Sequence, residues 1–392
     1  MADTLKAYTS KTSKPLNHVA QPYDQINAKL NLAVKSGGDV PDLSYMDSQQ
    51  IGFFVQNGTV QDLTDYVKNA PWFKDLSPAA LAACTAPDGR ILCVPTSVAT
   101  TLIYYWKDLY PNGFPATTDK LLAAAKDLKA KSKFAITMKA SEKAALEFSY
   151  FGLIKTYGGE VADKDGKAVW ASPETAQAVQ FVRDLFANKY SPDVDLAPGF
   201  DDEVPFKQGD AGGFMAGSWS FVFLNPLNAP DGTKFDKKSN SVQAAYDAGK
   251  LDFAPPLAKE GGKPVSIVLA TAWAIPKGAV NVDQAKAFID YEMTAAENAN
   301  FAVKYGALPT LTSAVTDQAF QTPYWQAVAK YLKDYAVPAP TLTQYDKGAT
   351  LLTDAISKLI TDPSKDIAKE LKAAQDEYNA GLSVTAVATQ AK

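Results

Sequence analysis

The chain has 392 residues, of which 46% are hydrophobic and 21% charged, and it carries a net charge of -4. That length exceeds a usual single core and points to two domains, while the acidic balance argues against a nucleic-acid partner, which wants a basic face. The one histidine, His18, leaves no basis for His-based triads, His metal sites or His acid–base pairs. No apolar run approaches the ~18 residues of a membrane span, and residues 1–20 lack the apolar core of a signal peptide.

Taken in order, Leu5–Thr9 reads as a short extended stretch and Lys11–His18 as polar connection. A helix is expected over Gln25–Val34, stopping at Ser36-Gly37-Gly38. Pro41–Met46 then reads as a short strand with Asp47-Ser48-Gln49-Gln50 at its carboxyl end. In an open α/β sheet, ligands sit beyond the carboxyl ends of strands, which makes Asp47 and Gln49 candidate solute contacts. The plainer alternative is that Asp47 caps a helix starting near Ser48.

The two cysteines flank the stretch from Cys84 to Cys93. A two-residue turn at Asp88-Gly89 would pair Pro87 with Arg90, Ala86 with Ile91, Thr85 with Leu92, and Cys84 with Cys93. The cysteines would then be within reach of a disulfide, which implies an oxidising compartment. Two small buried thiols are the alternative.

Val98–Trp106 is β-branched and aromatic and reads as a central strand. Asp119–Lys131 and Ser141–Tyr157 read as helices, and Ser172-Pro173 starts another with Ser as N-cap and Pro at the first helical position. Residues 225–250 are polar and turn-rich, and read as surface. Val265–Ile275 reads as a strand buried on both faces, stopped by Pro276-Lys277-Gly278. Helices follow over about Val282–Met293 and Ala295–Tyr305, the first with Ala285, Phe288, Ile289 and Met293 on one face. The last quarter reads as helices over 323–335, 344–360 and 363–378, with a frayed tail over 385–392.

Several blocks together carry a resemblance. AIPKG at 274–278, AKAFIDYE at 285–292 and YGALPT at 305–310 resemble, in order and spacing, a block of the family 1 extracellular solute-binding proteins, the maltose-binding-like receptors of ABC importers. The same family is resembled by KLNLAVKSGGDVPDL at 29–43, by LCVPTSVATTLIYYWK at 92–107, by YGGEVADKDGKAVWASPETAQAVQFVRDLF at 157–186 and by FKQGDAGGFMAGSW at 206–219.

The resemblance implies an α/β, two-lobe periplasmic-binding-protein-like fold of type II, with mixed sheets flanked by helices and three hinge crossings. Lobe 1 would take residues 1–104 and 270–309, lobe 2 residues 105–269 and 310–384, and 385–392 would be a tail. It implies a receptor that closes on a carbohydrate between the lobes and presents it to a membrane permease. By the same resemblance Ser97, Ala99 and Thr100 lie near the cleft floor, Tyr105 belongs to a hinge strand, and Trp219 stands at the tip of a strand with Ser218 beside it. An indole stacks on the flat C–H face of a sugar while polar groups take the hydroxyls. Thr271 takes a position that stacks on sugar in some relatives, with Trp273 two residues later. Tyr345 and Asp346 match a further aromatic site, and Phe148 or Phe151 could form an aromatic wall; simple core packing is the alternative for each of these rings.

The chain departs from the family pattern in three places. Relatives often show a carboxylate where Ala99 stands, and Ala and Met where Gly212-Gly213 stand. The front end reads as short, because Lys11–His18 cannot hold the helix that follows the family's first strand, so the first βα unit is expected to be missing or trimmed. The reading is therefore a non-enzymatic, monomeric, extracytoplasmic carbohydrate receptor with no cofactor, no metal and no nucleic-acid partner, located in the periplasm or at the cell surface. A receptor for a polyol, polyamine or phosphodiester is the alternative. A glycoside hydrolase, needing two facing carboxylates, is the competing enzyme class.

Overall fold

The computed structural model describes residues 2–21 and 25–390. Residues 391–392 of the expected tail lie outside the described residues. The principal strands are β1 Ser44–Asp47, β2 Val94–Ala99, β3 Thr101–Trp106, β4 Phe134–Met138, β5 Ala211–Gly217, β6 Leu251–Ala254, β7 Ser266–Ala274, β8 Leu308–Pro309 and β9 Ala336–Pro338. The chain divides into two compact units, residues 1–98 with 269–322 and residues 99–268 with 323–392. It passes from one to the other after Val98, Val268 and Thr322.

Unit 1 is built on a sheet of order β1-β7-β2-β8. The β1–β7 pair is antiparallel, with Met46 opposite Ala272 and Asp47 opposite Thr271. Leu30, Met46, Phe54, Val60, Leu92 and Ala272 form one apolar core against this sheet. Residues 310–322 group with unit 1 rather than with the expected second lobe, and hydrogen bonds explain it. Asn298 Oδ1 accepts from the amides of Thr310 and Leu311 at 3.0 Å each, and its Nδ2 donates to the Thr96 carbonyl at 2.7 Å. The Thr310 hydroxyl donates to the Pro95 carbonyl at 2.8 Å.

The front end differs from the sequence reading. Leu5–Thr9 is not extended but lies within a helix, Ala2–Thr12. Its polar composition gives only a weak apolar face, so packing decides the conformation rather than intrinsic propensity. Tyr8 is buried edge-on against Phe288 at 5.1 Å and Tyr291 at 5.2 Å, and Lys11 pairs with Glu297. Residues 225–250 also hold more structure than expected, with a helix at Ser241–Asp247. The last helix runs Ile367–Gln390, through most of the expected tail.

Cys84 and Cys93 are disulfide-bonded, with Cα atoms 5.3 Å apart. The hairpin register is one residue off the two-residue turn: Thr85 pairs with Ile91, and the Ala86 amide donates to the Arg90 carbonyl at 2.8 Å. Pro87-Asp88-Gly89 therefore forms a three-residue loop, with Gly89 at φ +87° as such loops require.

Unit 2 is built on a sheet of order β4-β5-β3-β6, antiparallel except for the parallel β4–β5 pair. Tyr104 lies opposite Phe214 and Thr101 opposite Gly217. Helices Thr118–Ala130 and Pro173–Ala187 start on side-chain caps, Thr117 accepting from the Lys120 amide and Ser172 from the Thr175 amide. The strand core is dense: Ile103, Tyr104, Trp106, Ile136 and Phe206 are all fully buried, and Trp106 Nε1 donates to the Phe206 carbonyl at 3.0 Å.

Candidate functional site

In unit 1 the fold gathers Asp47, Gln49, Ser97 and Thr271. Asp47 ends β1 opposite Thr271 and accepts from the Tyr45 hydroxyl at 3.0 Å. The Ser97 and Thr271 hydroxyl oxygens are 2.5 Å apart. The Ser48 hydroxyl accepts from the Ala270 amide at 3.1 Å, which ties the single 3-10 turn Ser48–Gln50 to β7. Gln49 on that turn is buried, and among the described residues its Oε1 has no hydrogen-bond partner.

Trp273 lies on the same strand face as Thr271 by the two-residue period of a strand, but it is core. Its ring sits 5.5 Å from Phe288 and 6.4 Å from Tyr45, and 6% of its surface is exposed.

In unit 2 the chain turns at Gly217-Ser218-Trp219 as it leaves β5. A Cβ on Gly217 would lie 2.1 Å from Trp219 Cη2, so the indole rests on the bare glycine backbone. The Trp219 ring is half-buried and packs 4.8 Å from Phe148. Phe148 lies on a π-helical turn, Leu146–Tyr150, and faces Phe200 at 6.4 Å. Phe200 is 58% exposed, so the three rings form an arc open to solvent. Ser218 is fully buried, and among the described residues its Oγ has no partner.

Phe200 is a ring that the sequence reading passed over. It sits in a loop without periodicity, and the loop is held from beneath by a buried ammonium. Lys139 is 1% exposed and donates to Ser141 Oγ at 3.1 Å, to the Ala197 carbonyl at 3.1 Å and to the Gly199 carbonyl. It pairs with Glu142 at 2.9 Å and lies 5.6 Å from the Phe200 ring centre. Two carboxyls share this region. Burial pushes Asp195 well above the usual carboxylate range, with its bonds to Thr137 and the Met138 amide pulling it back in part. Burial likewise pushes Asp202 up to about 6, against the pull of Lys139.

The side chains of the remaining expected residues are buried or held by other partners. The Thr100 hydroxyl is fully buried and bonds Ser266 Oγ, which also accepts from the Thr101 amide at 3.0 Å. Tyr345 has no exposed surface and its hydroxyl donates to Glu147 Oε1 at 3.0 Å, so no ring face is offered to a solute. Phe151 is core as well, and Asp346 pairs with Lys143 at 3.1 Å.

The sequence profile described as bacterial extracellular solute-binding protein matches residues 3–332. The arabinooligosaccharide-binding protein of Bacillus subtilis (strain 168) is 23% identical over 303 residues, 73% of this chain and 63% of the relative. The chain spans about half the length (49%) of other curated relatives it matches, among them a protein of Brucella abortus (strain 2308) that is 26% identical over 204 residues, 50% of this chain. A maltose-bound MalE3 of T. maritima superposes with a TM-score of 0.80 at 20% identity, over 96% of this chain and 94% of the other. An ABC-transporter solute-binding protein of Agrobacterium radiobacter K84 in complex with ribitol gives a TM-score of 0.81 at 21% identity, over 97% and 94%. These likenesses give the fold as the two-lobe, MalE-like one. With a family profile covering most of its length and that fold, the chain belongs to the bacterial extracellular solute-binding proteins.

Proposed function

We propose that the protein is a receptor that binds a carbohydrate outside the cytoplasm and delivers it to the membrane permease of an ABC importer. The observation that carries this reading is the open arc of Trp219, Phe148 and Phe200. Three neutral rings with a solvent-facing side suit the C–H face of a sugar. In unit 1, Asp47, Ser97, Thr271 and the unpartnered Gln49 Oε1 supply acceptors and hydroxyls of the kind that bind sugar hydroxyls. The carbohydrates named for the relatives, arabinooligosaccharide and maltose, support the same class, and ribitol in a third keeps polyols in the panel to be tested. Delivery to an importer rests on the family, and an oxidising compartment is favoured by the Cys84–Cys93 disulfide.

The test is a thermal-shift screen of the purified protein against arabino- and malto-oligosaccharides, polyols and polyamines. A sugar present at 100 times its Kd should add about 2.7 kcal/mol of stability. A shift with one carbohydrate class, and no product released on long incubation, is the expected result. A shift with polyamines alone would overturn the carbohydrate reading.

A further inference from the structure

The turn that presents Trp219 is held by two buried phenols. Tyr324 donates to the Ser218 carbonyl at 2.6 Å. The Tyr104 hydroxyl is 2.8 Å from the Tyr324 hydroxyl, 3.1 Å from the Gly217 carbonyl and 3.2 Å from the Ser218 carbonyl. Each phenol has one proton to give. With the Tyr324 proton spent on Ser218, its oxygen is free to accept from Tyr104. The two hydroxyls and the carbonyl then form a relay in which each bond strengthens the next. The Ser218 amide is spent too, donating to the Thr100 carbonyl at 2.9 Å. The backbone on both sides of Ser218 is thus fixed immediately before the indole.

We propose that Tyr104 and Tyr324 are positioning residues for Trp219: Tyr324 holds the Ser218 carbonyl, Tyr104 holds the Tyr324 hydroxyl in place by donating to it, and the relay so sets the plane in which the indole meets a solute. This rests on the carbohydrate reading only for what the indole meets. Neither ring touches solvent, since Tyr104 is fully buried and Tyr324 is 1% exposed, so both act through the turn and not on the solute. The rings themselves are held by packing, Tyr324 stacked 4.2 Å from Phe221 and Tyr104 edge-on to Phe253 at 5.7 Å. Loss of a hydroxyl therefore leaves the ring in place and removes only the clamp. Tyr324 also follows the third passage of the chain, after Thr322, by two positions, which ties the platform to the backbone where it enters unit 2.

The experiment compares the parent chain with Tyr104→Phe, Tyr324→Phe and the double variant, each of them made both with Trp219 intact and with Trp219→Phe, so that the Trp219 emission is obtained by difference. Acrylamide quenching of that emission is measured with no ligand present, and arabinotriose and maltotriose binding is measured by calorimetry. The clamp predicts at least a twofold rise in quenching of Trp219 in the double variant. It also predicts at least a tenfold loss of affinity for whichever trisaccharide the parent binds. Tyr110→Phe, which removes a buried phenol bonded to the Ala135 carbonyl at 2.9 Å, controls for lost stability and should change neither readout. Unchanged quenching in a folded double variant, or an equal rise in Tyr110→Phe, overturns the proposal. Should the double variant not fold, the single variants decide by the same criterion. If the parent binds neither trisaccharide, the carbohydrate reading is what suffers, while the quenching comparison still decides the clamp.

Discussion

The Trp219 indole lies directly over Gly217, with the position of a Gly217 Cβ only 2.1 Å from Trp219 Cη2. No side chain can occupy position 217 while the indole keeps this place. Gly217→Ala is therefore expected to push the ring off the Phe148 face, 4.8 Å away, without unfolding the strand behind it. A lost aromatic contact of about 0.5–1.5 kcal/mol corresponds to roughly a two- to tenfold weaker Kd. Calorimetry on the variant, with circular dichroism as a fold control, checks it.

Glu292 is the buried group that should set a pH limit on stability. Its side chain is fully buried, beside the Trp273 indole. Burial raises it to about 7, the Trp273 indole offsetting this in part and Glu297 adding to it. A carboxyl raised in the folded state binds its proton more tightly folded than unfolded. Its contribution is therefore fully present below the unfolded pKa near 4.5 and is lost as pH rises through about 7. Such a rise amounts to about 3 kcal/mol as an order of magnitude. Glu292→Gln should flatten the fall in melting temperature between pH 5 and pH 8, whereas a slope unchanged by the substitution would assign the effect elsewhere.

Lys139 holds the Phe200 loop through the Ala197 and Gly199 carbonyls and stands near Asp195 and Asp202. Lys139→Met keeps most of the volume and removes the donors. The expected cost is about 2–3 kcal/mol, since buried carbonyls lose charged donors while half-exposed Glu142 can turn to water. Limited proteolysis should then cut between residues 197 and 203 faster than in the parent chain.

The Cys84–Cys93 disulfide closes a short loop, with a separation of nine residues. Chain-entropy arguments give about 2.5 kcal/mol for a loop of that size. The Cys84→Ala, Cys93→Ala variant should melt lower by a corresponding few degrees, and reducing agent should lower the parent to the same value without affecting the variant.

Much of the scaffold is written locally in the sequence. The helix Val282–Glu292 buries Ala285, Phe288 and Ile289, as their spacing requires, and Ser172 and Thr117 cap where cap residues stand. Gly37 and Gly306 end helices at positive φ. The front helix is not local in this sense, since Ala2–Thr12 is fixed by Tyr8 on Phe288 and Tyr291, contacts more than 270 positions away in sequence. The candidate site divides in the same way. Trp219 beside a glycine and a serine at a strand end is legible, as is the Asp47–Gln49 turn. Tyr345 and Trp273 are not, because spacing on a helix or strand says which face a ring takes but not whether that face meets solvent or a neighbouring element. Phe200 leaves no periodic signal, and only the buried Lys139 beneath its loop marks it.

The most direct test of the carbohydrate reading is calorimetric titration of the parent chain and of Trp219→Ala with arabinotriose, maltotriose, ribitol and spermidine. The account predicts saturable binding of a neutral carbohydrate or polyol by the parent, at least tenfold weaker in a folded Trp219→Ala variant, and no binding of spermidine. Binding of spermidine alone, or carbohydrate binding that survives the loss of Trp219 unchanged, would contradict it.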